Sequence, residues 1–177
     1  MRRWVLGAMA ISIGLWVVAP RASADDALWQ AFRGRVIFSD VALAPEAAFD
    51  SSATMQAAVR RIERSTVEQR SGFWRLHILA FLDRPMDTNA LVLRATDVSD
   101  PRAPREVRVF QQAAQRGERE LRIDDFVVTS AMGFASGGRY EITVEAAPDE
   151  AATGAGAAET KKAGKADVYA KGVITLR

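Results

Sequence analysis

The stretch Phe73-Trp-Arg-Leu-His-Ile-Leu-Ala-Phe-Leu82 decides the fold class of this 177-residue chain. Side chains alternate between the two faces of a β-strand, so its even-numbered residues share one face, and that face is apolar throughout. The odd-numbered face mixes Leu79 and Phe81 with Arg75 and His77. A strand with one apolar face and one half-apolar face suits the centre of a sheet. We therefore predict a central strand over residues 73–82.

Further strands are predicted on both sides of this stretch. Glycine, proline and aspartate turns separate them, and most connections are too short for crossover helices. In the segment 119–128 the alternation breaks at Asp124-Asp125, which predicts a bulge or bend. The predicted strands besides 73–82 cover residues 34–38, 90–96, 106–112, 119–128, 139–146 and 168–176.

One segment has helical periodicity. Met55, Val59 and Ile62 recur at i, i+4 and i+7, while charged residues occupy the opposite face. This pattern predicts an amphipathic helix of about three turns that lies on the domain with its polar side in water. Its N-terminal cap is Asp50, Ser51 or Ser52.

Seven strands and one helix predict a mainly β fold, an antiparallel two-sheet sandwich with one short amphipathic helix. In strand order and length, residues 34–177 resemble an immunoglobulin-like β-sandwich. The Cys…Trp…Cys spacing of true immunoglobulin domains is absent, because the chain has no cysteine. The chain also resembles small uncharacterised envelope proteins of bacteria, and that resemblance implies no particular activity. An up-and-down barrel is the rival fold.

The N-terminus is typical of a secretory signal peptide. Arg2-Arg3 precede the apolar run 4–18, and Ala22-Ser23-Ala24 provides the small-x-small pattern of a cleavage site. We expect cleavage after Ala24, which makes the mature protein periplasmic or secreted. The alternative is a retained signal that tethers the protein to the membrane, although the run is short for a spanning helix.

Cleavage divides the chain into a signal peptide (1–24), an N-terminal segment (25–33) and the sandwich domain (34–177), with a flexible low-complexity loop at 147–166. The signal contains three arginines and no acidic residue. The 24 basic and 22 acidic residues of the precursor therefore become 21 and 22 in the mature chain. Such a balance provides no global field for nucleic acid, which we exclude as a partner.

Composition restricts the possible chemistry. Without cysteine there are no thiol nucleophiles, iron–sulfur clusters or thiolate zinc sites, and His77 is the only histidine. A Ser-His-Asp triad would have to use His77. The glycines at 137–138 and 154–156 lie outside a strand–loop–helix context, so no phosphate-binding loop is predicted. We assign no catalytic, cofactor-binding or metal-binding residue.

Three features have both a functional and a structural interpretation. Asp124 and Asp125 could bind calcium, but solvated acids at a strand bend are the favoured interpretation. Trp29 and Trp74 could form a carbohydrate platform, although core packing explains Trp74 more economically. A basic stretch could dock an acidic partner or lipid phosphate, or form the solvated face of the helix. Its members are Arg60, Arg61, Arg64, Arg70 and Arg75.

Taken together, these patterns favour a non-enzymatic extracytoplasmic module that binds another envelope or secreted protein. The sheet edges and the exposed helix face are the expected contact surfaces. The main alternative is an extracytoplasmic hydrolase that uses carboxylates or His77. No stable membrane span is expected once the signal is removed.

Overall fold

The structure is a computed structural model that describes residues 24–42, 51–147 and 167–177. The predicted signal peptide, apart from Ala24, lies outside the described residues, and so does the predicted loop at 147–166, apart from Ala147. None of the helices in the described part is long and apolar enough to cross a membrane.

The mainly β class is confirmed, and the predicted strands are all present within one or two residues of their predicted ends. Two helices accompany them, α1 (Ala24–Phe32) and α2 (Ser52–Ile62), and a 3₁₀ turn lies at Ser130–Met132. The strands are β1 (Arg35–Ser39), β2 (Thr66–Val67), β3 (Phe73–Phe81), β4 (Ala90–Asp97), β5 (Arg105–Ala113), β6 (Glu120–Thr129), β7 (Arg139–Ala146) and β8 (Val168–Leu176).

The strands differ from the predicted antiparallel two-sheet sandwich because hydrogen bonds join them into one mixed sheet. Its order is β5-β4-β7-β8-β1-β3-β6, with β2 also beside β8, and it curls into a half-barrel. Both β1 and β2 run parallel to β8. The helix α2, with 11 residues, connects β1 to β2 and carries the chain back, so that β2 runs in the same direction as β1.

The N-terminal segment forms a helix that the sequence analysis did not predict. Leu28 and Phe32 of α1 are buried against Ile37 and Phe81, on the face of the sheet that α2 also covers. The ring of Phe32 stacks on Phe81 with centroids 5.1 Å apart. Nine residues with one apolar i, i+4 pair give a weak helical pattern, and packing on the sheet stabilises the helix.

The predicted helix α2 is confirmed together with its cap. The Ser51 hydroxyl accepts a hydrogen bond from the Thr54 amide at 3.2 Å. Met55 and Val59 are buried, and Ile62 packs beside them. Arg60, on the opposite side, is exposed.

β3 is an interior strand, although it is second from the β6 edge and not at the centre of the sheet, and its residues 78–81 are buried on both faces. Trp74 and Ile78 join the main core inside the curl of the sheet. Leu79 and Phe81 join the smaller core beneath α1 and α2. Antiparallel pairing with β1 on one side and β6 on the other places β3 within the sheet.

The two edge strands of the sheet, β5 and β6, meet through side chains. Phe110 and Phe126 pack edge to face with ring centroids 4.8 Å apart. The bulge predicted in β6 is present as a register shift opposite Leu76 and Ile78, and Asp125 there has a φ of 58°. The bulge keeps the apolar side chains of β6 on the core face before and after the break.

Gly172 of β8 allows β1 to approach closely. A Cβ at this position would overlap the Val36 carbonyl oxygen and lie 3.0 Å from a ring carbon of Phe38. We predict that Gly172→Ala lowers the free energy of unfolding by about 2 kcal/mol. The exposed neighbour Val173 provides a control, since Val173→Ala should cost less than about 1 kcal/mol. Urea denaturation measures both, and equal losses would contradict the prediction.

A hydrogen bond ties β8 to the loop after β3. The Tyr169 hydroxyl donates to Asp87 and holds the pKa of that carboxyl below its ordinary value. Burial, and then this bond to Asp87, raise the pKa of Tyr169. Because the pKa of Asp87 is depressed in the folded state, its contribution to stability is present at neutral pH and is lost as the pH falls through that pKa.

Tyr169→Phe should therefore destabilise the protein more at pH 7 than at an acidic pH below the lowered pKa of Asp87, where the carboxyl is protonated in both variants. Tyr140→Phe is the matched control, because the Tyr140 hydroxyl accepts a hydrogen bond from the backbone amide of Ala135, a group that does not titrate. Urea denaturation at the two pH values measures the difference. The same pH dependence in both variants would contradict the prediction.

Candidate functional site

His77 and Asp124, which the sequence analysis treated separately, lie next to each other. His77 Nδ1 is 3.2 Å from Asp124 Oδ1, across the β3–β6 pair. Arg122 Nε lies 3.5 Å from the other oxygen of Asp124. Asp125 instead faces Arg75, whose NH1 is 3.4 Å away. The two neighbouring aspartates therefore contact different cations and do not converge on one point.

A serine that the sequence analysis did not single out lies opposite His77. Ser39 ends β1 and pairs with His77 in the antiparallel β1–β3 register. Serine, histidine and aspartate thus occupy three adjacent strands. However, Ser39 is only 3 % exposed, and its hydroxyl donates to the Val41 carbonyl at 2.6 Å. Strand pairing brought Ser39 to His77, and no local pattern in the sequence could have shown it.

Neither described tryptophan presents an open ring face for a sugar. Trp74 is fully buried, and its indole N–H donates to the Arg177 carbonyl at 2.8 Å. The ring of Trp29 is covered by the guanidinium groups of Arg33 and Arg119, at 5.0 and 4.8 Å from its centroid. Its N–H donates to the Leu82 carbonyl at 2.6 Å. Trp74 is a core residue, and Trp29 is a half-buried residue at the edge of the smaller core.

The basic stretch surrounds two adjoining clefts that share Arg64. The β3 cleft, about 330 Å³, lies at the start of β3 and is also lined by Arg70 and Arg75. The β8 cleft, about 470 Å³, lies between β1 and β8 and is also lined by Arg60. Four of the five arginines of the stretch therefore line the clefts. We call these two spaces the arginine clefts.

The β8 cleft results from the topology of the sheet. β1 is registered with β8 only at Arg35 and Lys171. Further along β8, β2 takes the place of β1, with Thr66 opposite Thr175. The cleft lies where one partner of β8 gives way to the next, and it is lined by Arg35, Lys171 and the neighbouring Gly172. Two more cations, from distant parts of the chain, thereby join the basic stretch.

Cations outnumber acids in the lining. Six basic residues (Arg35, Arg60, Arg64, Arg70, Arg75 and Lys171) face three acidic ones (Asp40, Glu63 and Glu68).

Part of this charge is compensated by ion pairs. Arg35 pairs with Glu63 at 2.6 Å, and Arg64 pairs with Asp40 at 3.0 Å. Arg75 and Lys171 pair with acids outside the lining, Asp125 at 3.4 Å and Glu141 at 3.9 Å. Within the described ranges, no ion pair of Arg60 or Arg70 is seen, and both residues are exposed. These two side chains carry positive charge that is available to an anionic group.

The described residues contain no group of three or more histidine, cysteine, aspartate or glutamate side chains that could hold a metal ion. No protein-family model, no curated protein sequence and no solved structure matches the chain.

The surroundings of Ser39 predict the outcome of a labelling experiment. A fluorophosphonate reacts with activated, accessible serines, so the mature protein should give no adduct at Ser39, which is buried and whose hydroxyl proton is engaged by Val41. Intact-mass measurement and peptide mapping detect the adduct. An adduct at Ser39 that disappears in His77→Ala would contradict the prediction and favour a hydrolase.

Proposed function

We propose that the protein is an extracytoplasmic, non-enzymatic module that binds an acidic segment of another envelope or secreted protein in the arginine clefts. The observation that carries this proposal is the convergence of six cations from separate elements on two adjoining clefts. Arginine suits such a role because its planar group binds carboxylates through two parallel hydrogen bonds.

The contrast between local and total charge supports the proposal. Without the predicted signal, the chain has 21 basic and 22 acidic residues, so a basic surface is not a by-product of its overall composition. A local patch on a near-neutral protein attracts an oppositely charged partner to one place and accelerates its association. The exposed Arg60 and Arg70 are the side chains on which this attraction depends most.

The geometry around His77 argues against the hydrolase alternative in its triad form. The Nδ1 atom of His77 lies 3.2 Å from Asp124, as an orienting carboxylate would require. The hydroxyl opposite the histidine belongs to Ser39, which is buried and donates to Val41. A nucleophile must share its proton with its base and be open to the substrate, whereas the Ser39 hydroxyl gives its proton to Val41 and lies out of reach of solvent.

An immunoglobulin-like relationship is the structural part of the proposal. The strands β4, β7 and β8 contribute side chains to the same main core as β1, β3 and β6, so two halves of the sheet enclose one core. We treat the fold as a sandwich whose two sheets are joined between β8 and β1. A crystal structure in which that junction opens would support the relationship, and a continuous curl would count against it.

The binding proposal predicts a loss of affinity for an acidic probe. Arg60→Glu combined with Arg70→Glu should weaken binding of a labelled poly-L-glutamate peptide by about tenfold or more, because the free charges of the clefts are reversed. Fluorescence anisotropy at increasing salt measures the affinity, which should fall as salt screens the charges.

Arg61→Glu combined with Arg102→Glu is the matched control. Both residues are exposed and neither lines the arginine clefts, while the change in net charge is the same. The control should bind within about twofold of the wild type. An equal loss of affinity in both double variants would show that net charge alone causes the effect, and would contradict a binding site in the clefts. Binding to anionic vesicles without binding to the peptide would also contradict it.

Crosslinking with mass spectrometry in the native envelope fraction extends the test to the natural partner. A partner that the wild type captures through residues near the clefts, and that the Arg60/Arg70 double variant loses while the control retains it, is the expected result. Capture that is equal in all three proteins would contradict the proposed surface.

A further inference from the structure

The outer half of β5, meaning its second half along the chain (residues 109–113), has backbone amide and carbonyl groups that form no hydrogen bond with another strand of the described chain. β5 is the edge of the sheet and pairs only with β4. The Ala114 amide donates to the Asn89 carbonyl at 3.0 Å, which fixes the alternation along the pair. By that alternation the amides of residues 110 and 112 face β4. The backbone groups of Val109, Gln111 and Ala113 therefore point away from the sheet, where the Ala113 carbonyl accepts only from the Gln112 side chain at 3.3 Å.

This half of β5 also lacks the usual protection of a sheet edge. Residues 109–115 (VFQQAAQ) contain no charge, no proline and no glycine. Edge strands normally avoid pairing with other chains through charged residues, prolines or bulges. The first half of β5 has such protection, since three of the four residues 105–108 (REVR) are charged and the segment lies at a register shift.

The opposite edge of the sheet provides an internal comparison. β6 has Glu120, Arg122, Asp124 and Asp125 along its length, all exposed, and a bulge with a positive φ at Asp125. The same sheet thus has one protected edge and one edge whose outer half is unprotected. Such an asymmetry is expected when the unprotected edge has a strand to pair with.

The residues of this edge are complementary to themselves. In an antiparallel pair of two copies centred on Gln111, Val109 lies opposite Ala113 of the second copy, and Phe110 lies opposite its Gln112. Gln111 meets itself, and its side-chain amide can donate to and accept from its counterpart. No like charges oppose each other in this register. Val109 is 39 % exposed and would lose part of that exposure.

We infer that two copies of this chain associate through their β5 edges, antiparallel and centred on Gln111, to form a two-fold symmetric dimer with a continuous sheet. A two-fold contact of this kind uses the same surface on both copies and closes on itself, so it gives dimers and not fibres. The inference rests on the edge alone and is independent of the arginine clefts.

Sedimentation velocity of the mature protein over a range of concentrations tests the inference. As concentration increases, the measured mass should rise from that of one copy to that of two copies. Gln111→Lys places two like charges opposite each other, and Gln111→Pro removes an outward amide that β4 does not use, so both should stay monomeric. Gln30→Lys makes the same chemical change on the exposed side of α1 and should dimerise like the wild type.

Hydrogen exchange provides a readout that does not depend on any variant. The amides of Val109, Gln111 and Ala113 should become protected as concentration rises, whereas those of Glu120 and Arg122 on β6 should not. A wild type that remains a single copy up to about 1 mM would overturn the inference. A dimer that persists in both Gln111 variants, or protection elsewhere than on β5, would overturn it as well.

Discussion

The burial of the second half of β3 on both faces is the constraint on which the rest of the structure depends. One face contributes Trp74 and Ile78 to the main core, and the other contributes Leu79 and Phe81 to the core beneath the helices. A strand of this kind needs a layer on each side. The curl of the sheet provides the first layer, and α1 with α2 provides the second. Without either layer, a row of large apolar side chains would be exposed to water.

The local pattern of the sequence predicts the strands well because side-chain alternation is a local property. β7 and β8 have the predicted ends, and the break in alternation at Asp124-Asp125 corresponds to the bulge in β6. The single mixed sheet could not be predicted in the same way. It depends on the pairing of β1 and β2 with β8, which joins segments from opposite ends of the chain. The helix α1 was missed because packing on the sheet, more than propensity, stabilises so short a helix.

The candidate site likewise has one part that local sequence shows and another part that depends on contacts between distant segments. The basic stretch was visible in the sequence, since its arginines lie within 16 residues of one another. Its function as a lining of clefts was not visible, because Arg35 and Lys171 come from β1 and β8. The contact between His77 and Asp124 likewise required the β3–β6 register. The sequence therefore shows which candidate functional residues are present, but it does not show which of them become neighbours in the fold.

The topology also determines how the clefts and the β5 edge can work together. The helix α2 carries the chain from β1 to β2, and the β8 cleft lies between β1 and β8, next to the point where β2 replaces β1 beside β8. The β5 edge lies on the far side of β4 and β7 from that cleft. A two-fold dimer through β5 would therefore leave the β8 cleft of each copy free. Two clefted surfaces on one rigid sheet would bind a partner with repeated acidic segments more tightly than a single copy, because the second contact becomes intramolecular.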